Sequence, residues 1–512
     1  MTFRKPRRPS FLFLFLCSLL VGQPLHAQAP GPLDGAAETI TARDLRARIG
    51  ILADDSMLGR DTPSPGLERA AAYVVSEFRR LGLHPAGEHG TYVQRFGVSR
   101  WMVDTAASSL ELAAHGRRAG AAFGSAVRVI GGDVSGRPIG GDAVLVAGPL
   151  TRELTRSPRL RGRIVFLTPD FERPLPFGLG DRVDEIAAVA RAVILLSNRD
   201  SSTFIRRIDT SLEPRLTPDF RDGEGGAPVV EVREIGFREV VAAAGLDLSR
   251  LRAMDTALVR ELPDFRVDLR IARRYLERAA APNLAAVLEG RDHRLRREYV
   301  AVSAHLDHVG VRPGRPDSIF NGADDNASGV AALLEMAEAF SRREARPARS
   351  LLFLVPSGEE KGLWGSAYYV EHPTVPLSDI AADLNLDLIG RNWGDSVIVT
   401  GPEMSTLGAT LSRVSASHPE LRMAPLSDRW PEERIFYRSD HYNFAVKGVP
   451  VLFFTSGTHA DYHQPSDATD RIDTEKASRL ARLVFHVGAA VANAPERPRW
   501  TPGSLERLVE DR

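Results

Sequence analysis

Residues 299–308 read YVAVSAHLDH, an apolar run that stops at His305, with Asp307 two positions on. The run 299–304 has the length and β-branched content of a buried strand. Outward from it the same texture repeats. The spacing predicts helices over 330–341, 363–372, 404–417 and 473–491, and strands over 351–355, 382–388, 396–400 and 449–455. Strand–helix alternation of this kind implies an α/β fold, a mixed and mostly parallel sheet flanked by helices. In such sheets a site forms in the crevice beyond the carboxyl ends of the strands. His305 follows one strand, Glu359 and Glu360 follow a second, and Asp387 ends a third, so topology alone draws them together.

Zinc takes nitrogen and oxygen ligands, and a catalytic zinc keeps a position open for water. Two zinc ions about 3.5–4 Å apart need a carboxylate between them. His305 and His463 supply nitrogen ligands, and Asp325, Glu359, Glu360 and Asp387 supply carboxylates, enough for three ligands and one further carboxylate to act as a base. Each has a plainer reading. N-G-A-D-D-N-A-S-G (321–329) suits a turn and helix cap by itself, with Gly322 and Gly329 allowing a tight loop. Spacing does not choose between Asp324 and Asp325. The pair Glu359-Glu360 suits a solvated helix start, but its place after the buried strand 351–355 argues for one side chain on metal and one on substrate. An unpaired Asp387 in the apolar L-N-L-D-L-I-G would be expensive unless it ligates. His463 alone would be a solvated loop histidine; beside Tyr462, a phenol able to stabilise an oxyanion, it completes a set. Asp307 is placed to accept the second imidazole N–H of His305.

The rest of the chain frames this site. Arg4, Lys5, Arg7 and Arg8 precede the apolar run 11–21, and Leu25-His26-Ala27 offers a cleavage point, the layout of a signal peptide over 1–27. The run is too short for a spanning helix of about 20 residues. The expected location is therefore secreted or periplasmic, with no membrane association after cleavage. Cys17, the only cysteine, lies in this run, so thiolate zinc sites and cysteine nucleophiles are excluded from the mature chain. Lys+Arg and Asp+Glu both total 66, which gives no reason to expect a nucleic-acid partner. Helical spacing over 41–52 and 65–81 opens an N-terminal part of the main domain, 38–102. Short strands at 144–147, 164–167, 193–196 and 229–232, with a single helix over 181–191, mark a β-rich insert, 103–265. The main domain resumes over 266–495, and 496–512 reads as a loose polar tail.

With these residues in place, the chain resembles the secreted co-catalytic zinc aminopeptidases, relatives of bacterial leucyl aminopeptidase, aminopeptidase Y and glutamate carboxypeptidase. The resemblance rests on H-L-D, G-A-D-D-N-A-S-G, G-E-E-x-G-L-x-G-S, N-x-D-x-I-G and Y-H-x-x-x-D in that order, over about 283–492. A weaker part lies in L-A-D-D-S-M-L-G-R and A-A-A-Y-V-V-S-E-F-R-R-L-G-L-H-P within 38–90. The insert resembles a protease-associated domain in R-G-R-I-V-F-L and A-V-I-L-L-S. The resemblance implies the zinc exopeptidase fold and a peptide substrate. It also implies two zinc ions, one on His305 and Asp387, the other on Glu360 and His463, bridged by Asp325. It further implies a cis peptide between Asp325 and Asn326, Glu359 as general base, Tyr462 as oxyanion partner, and Ser439, Asp440 and His441 as wall or support.

The expected activity is removal of N-terminal residues from peptides. A carboxypeptidase or dipeptidase of the same superfamily is the alternative, for which Arg391, Arg429, Arg434 and Arg438 would bind the substrate carboxylate. Glutaminyl cyclisation on one zinc and a non-catalytic receptor are disfavoured, because no expected ligand position is altered.

Overall fold

The computed structural model describes residues 32–176, 178–222 and 226–510. The signal sequence and Cys17 lie outside the described residues. Among these residues the strands join one hydrogen-bonded sheet network in which two parallel sets meet at a long strand, Leu258–Leu288. On one side Tyr299–Ser303 lies parallel to both Ser350–Val355 and Ile380–Leu386, and Ile380–Leu386 lies parallel to Val451–Thr455. All four strands are buried along their whole length or nearly so. Their near-continuous apolar sequence is what a sheet covered on both faces requires. The expected α/β fold, mixed and flanked by helices, is the observed one.

Two helices cover one face. Gly329–Ser341 is apolar almost all round, and Thr474–Asn493 crosses it with Phe485 stacked on Phe340 at 4.1 Å. Helix Ala42–Leu52 closes this layer through Arg48. Its guanidinium bonds Glu335 at 2.6 Å, Glu77 at 2.6 Å and Glu338 at 3.0 Å, which ties three helices together. A buried arginine left without those carboxylates would be strongly unfavourable.

The insert is built differently from its composition. Strands Ile139–Ala147, Ile164–Leu167, Ala192–Ser197 and Val229–Arg233 pair in parallel and carry helices, so the module is α/β. Helix Ser201–Ser211 is absent from the sequence reading. Asp200 caps it through Thr203 N at 2.9 Å, and it buries Phe204, Ile208 and Ser211 at helical spacing, a stripe too thin to stand out among its charges. The strands Val93–Ala114 and Leu258–Leu288 pair antiparallel and run unbroken through positions 103 and 265. The separate core of the insert takes in Trp101 at one end and Ile271 at the other.

The tail departs from expectation. Residues 496–510 are docked, not loose: Trp500 Nε1 donates to Gly448 O at 2.8 Å, Thr501 N to Met404 O at 2.8 Å, and helix Ser504–Glu510 buries Leu508. Two apolar anchors suffice where the intervening residues are polar.

Asp383 sits in the middle of the sheet with one oxygen on Ser303 Oγ at 2.8 Å and the other without a partner. Burial raises its carboxyl to about 7, with Asp440 adding to the effect and Ser303 opposing it. A raised folded value means stability is fully present below the unfolded value, near 4, and is lost as pH rises toward 7. Asp383→Asn is therefore expected to flatten the fall in stability between pH 4 and 7, by at most about 4 kcal/mol. Denaturant midpoints of both proteins across that window check this. Parallel curves would show that Asp383 does not titrate on unfolding.

Candidate metal centre

The ligand-type residues lie where apolar strands run out. His305 comes two residues after Tyr299–Ser303, Asp387 one residue after Ile380–Leu386, and Glu359 and Glu360 just past Ser350–Val355. The loop carrying Asp325 is folded back tightly. Gly322 has φ of +59°, and a Cβ there would sit 2.2 Å from Asp325 O and 2.5 Å from the His308 ring. Asp467 secures the loop from across the chain, its carboxylate accepting Asp324 N at 3.0 Å and Asp325 N at 3.1 Å. The Asp325–Asn326 peptide is cis, in keeping with the resemblance.

Two groups of ligand atoms share Asp325. In the first, His305 Nε2 lies 3.2 Å from Asp387 Oδ1 and 3.4 Å from Asp325 Oδ1. In the second, His463 Nε2 lies 2.9 Å from Glu360 Oε2 and 3.2 Å from Asp325 Oδ2. The two oxygens of Asp325 thus face different groups, as a bridging carboxylate does. Asp324 points elsewhere, to Gly390 N at 2.6 Å and His459 Nε2 at 3.3 Å. Within each group the candidate ligand atoms lie within 4.8 Å of one another. His463 Nε2 makes no well-directed hydrogen bond despite those short distances. An imidazole nitrogen that meets two carboxylates without a well-directed bond to either fits a donor aimed at a common cation. The set is nitrogen and oxygen only, which suits zinc but also other first-row dications.

The second group holds a residue that the sequence reading passed over. His308 is buried, with Nδ1 2.9 Å from Glu360 Oε1 and 3.6 Å from Asp325 Oδ2. It was visible as the last letter of A-H-L-D-H, but strand alternation would turn it away from His305. The backbone leaves the strand at Ser303, so alternation no longer holds at position 308.

Asp307 also differs from expectation. The acceptor for His305 Nδ1 is the Asp307 backbone carbonyl at 3.1 Å, whereas the carboxylate is 3.8 Å away. That carboxylate instead accepts Glu359 N at 3.2 Å, which fixes the turn bearing Glu359 and Glu360. The two adjacent glutamates diverge as expected: Glu360 enters the second group, and Glu359 Oε2 stands 4.0 Å from His305 Nε2 on the pocket side. Tyr462 stacks on His463 at 3.9 Å and lines the same pocket. Ser439 Oγ donates to Asp387 Oδ2 at 3.0 Å, and Asp440 and His441 are buried behind it.

So many carboxylates perturb one another. Burial, with Asp387 and Glu360 adding to it and His305 opposing, holds the Glu359 carboxyl well above its usual range. Burial alone would lower His463, but Asp325 and Glu360 carry it up to about 9. Burial would also lower His305, yet Asp387 and Glu359 raise it well above the usual imidazole range. Burial and nearby carboxylates push the Tyr462 phenol upward, which keeps it a neutral donor. The whole field is one that favours cations.

The pocket beside this centre has a volume of about 50 Å³ and is walled by Leu388, Trp430, Ile435 and Phe453, with Glu433 and Arg438 among its polar residues. Those two are paired with each other at 3.2 Å. Of the other arginines considered, Arg391 is held by Asp461 at 2.6 Å, Arg429 lies over Trp393 and Arg434 over Tyr437.

Residues 283–488 match the sequence model described as Peptidase family M28. Aminopeptidase YwaD of Bacillus subtilis is 25% identical over 224 residues, 42% of this chain and 46% of that protein. The BOS complex subunit NCLN of Canis lupus familiaris is 29% identical over 206 residues, 36% of each chain. The chain thus spans less than half the length of these relatives. Among solved structures, an aminopeptidase from Aneurinibacillus sp. strain AM-1 superposes with a TM-score of 0.49 at 20% identity, over 90% of this chain and 96% of that one.

Proposed function

We propose that this chain, whose residues 283–488 belong to peptidase family M28, is an exported aminopeptidase acting with two zinc ions. The observation that carries the reading is the pair of ligand groups hinged on the two oxygens of Asp325. His305, Asp387 and Asp325 would hold one ion, and Glu360, His463 and Asp325 the other. When bound, the ions supply Lewis-acid polarisation of the scissile carbonyl and a lowered pKa for water in the site. Glu359, outside both ligand groups and drawn toward protonation by burial, takes a proton from the attacking water and passes it to the departing amine. Tyr462, kept neutral, donates to the developing oxyanion.

The pocket supports cleavage from the amino end. Its apolar wall suits an aliphatic side chain, and carboxylates rather than free cations surround it. Arg438, which a carboxypeptidase would direct at a substrate carboxylate, is engaged by Glu433, and Arg391 by Asp461. The insert is read as a protease-associated module. Export rests on the signal-like residues 1–27; among the described residues no helix is long and apolar enough to cross a membrane.

The test is release of p-nitroaniline from a panel of aminoacyl-p-nitroanilides, with N-acetylated and carboxypeptidase substrates alongside, before and after chelation. Turnover of free-amine substrates alone is expected, abolished by chelator and restored by zinc. Turnover confined to carboxylate-bearing substrates would replace aminopeptidase with carboxypeptidase. Turnover that survives full chelation would remove the zinc mechanism.

A further inference from the structure

Arg60 is wholly buried, with 0% of its surface exposed, and each of its hydrogen-bond partners is a backbone carbonyl. Nε donates to Leu306 O at 2.8 Å, Nη1 to Leu52 O at 2.6 Å and Asn321 O at 2.7 Å, and Nη2 to Gly322 O at 2.9 Å with Asp325 O at 3.5 Å. A guanidinium has five N–H donors in a rigid fork, and here all five are directed at acceptors. Those acceptors are not scattered. Leu306 separates His305 from Asp307, while Asn321, Gly322 and Asp325 belong to the loop that delivers the bridging carboxylate. The third anchor, Leu52, ends helix Ala42–Leu52.

The backbone around Arg60 is committed to the same contact. Gly59 O accepts Gly310 N at 3.0 Å, and Arg60 O accepts His308 N at 3.3 Å. Leu58, Gly59 and Arg60 all have positive φ, and a Cβ on Gly59 would lie 2.4 Å from Phe320 O and 2.6 Å from Gly310 O. Only glycine allows the segment to approach the two ligand loops so closely.

We propose that Arg60 is a positioning residue of the metal centre: its fork holds the His305–His308 segment and the Asp325 loop at ligand spacing independently of any bound metal. The inference rests on the reading of that centre as a zinc site. Arg60 touches no ligand side chain; it acts by satisfying carbonyls of the two segments whose separation sets the distance between His305 and Asp325. Its positive charge also lies close to Asp325, Asp467, Asp307 and Glu360, where it offsets part of their mutual repulsion.

A purely structural role is separated by a second buried arginine. Arg349 is equally enclosed and bonds Glu298, Val491 O and Ala494 O on the far side of the domain. Zinc affinity of wild type, Arg60→Met, Arg60→Lys and Arg349→Met would be measured by competition with a chromogenic chelator, with thermal midpoints alongside. Arg60→Met is expected to bind zinc about 10–100-fold more weakly, the range seen when partners of ligand segments are removed, and Arg60→Lys less so. Arg349→Met is expected to lower the midpoint while leaving zinc affinity at the wild-type value. Unchanged zinc binding in Arg60→Met, or an equal loss in Arg349→Met, would overturn the proposal.

Should Arg60→Met not fold, amide hydrogen exchange of zinc-free wild type and Arg60→Lys decides the matter. Faster exchange confined to residues 304–310 and 321–328 is expected, and identical exchange there refutes the role. If wild type itself takes up no zinc, the zinc reading fails while the exchange comparison still judges Arg60.

Discussion

Glu359→Gln is expected to lower kcat by about 10²–10⁴-fold, the span for loss of a general base, with both zinc ions retained and KM little changed. The expectation follows from where the carboxylate stands. Glu359 belongs to neither ligand group, yet its Oε2 is 4.0 Å from His305 Nε2 and it lines the pocket with Asp325, Asp387 and Tyr462. Its position is fixed by a backbone N–H held on Asp307, a bond that the glutamine amide does not disturb. Burial and the surrounding carboxylates raise its pKa, which makes the ionised carboxylate a stronger base. Glutamine keeps the shape and removes the basicity. Metal analysis and steady-state kinetics on the same preparation check the result. Loss of a zinc ion would mean that Glu359 ligates; full activity would mean that the base lies elsewhere.

The contrast between Glu359 and Glu360 was legible in the sequence as adjacency just past a buried strand, but their assignment was not, and the pair opens a short 3-10 helix, Glu359–Lys361, where a non-helical connection was expected. Spacing places two carboxylates after strand Ser350–Val355, and it is His308 and His463 that select Glu360, at 2.9 Å each. The same division runs through the whole site. Residues that end apolar strands, such as His305 and Asp387, were readable because burial in a strand demands a partner for a charged group. Asp324 and Asp325 were not separable, because the choice is made by Asp467, His459 and Gly390, remote in sequence. Arg60 lay in plain view in L-A-D-D-S-M-L-G-R, a stretch that carried part of the resemblance but no sign of what Arg60 does. Its partners are backbone carbonyls, which every residue has. At the level of the fold, strand–helix alternation gave the layered sheet. The strands Val93–Ala114 and Leu258–Leu288 escaped notice because their faces change surroundings along their length, buried in one core, exposed, then buried in another. No single period persists through such a strand.

Asp325→Asn is expected to abolish binding at one zinc site at least and to weaken the other, whereas Asp387→Asn should affect one site alone. The difference is geometric. Asp325 turns Oδ1 toward His305 and Oδ2 toward His463, with His308 also within 3.6 Å of Oδ2. An amide keeps one oxygen and replaces the other with a donor, which cannot bind a cation. It also removes the negative charge shared between the two groups, so even the surviving side is weaker. Asp387 faces His305 and accepts from Ser439 Oγ, and no contact links it to His463 or Glu360. Removing several kcal/mol of charge stabilisation, at about 1.4 kcal/mol per decade, places the fall in kcat/KM for Asp325→Asn at about 10³-fold or more. Zinc counted by mass spectrometry of the intact protein at graded free zinc separates the cases. Two ions retained with wild-type affinity in Asp325→Asn would show that the two groups do not share this carboxylate. A single population losing both ions in Asp387→Asn would show that they are coupled through some other contact, since Asp387 reaches only the first.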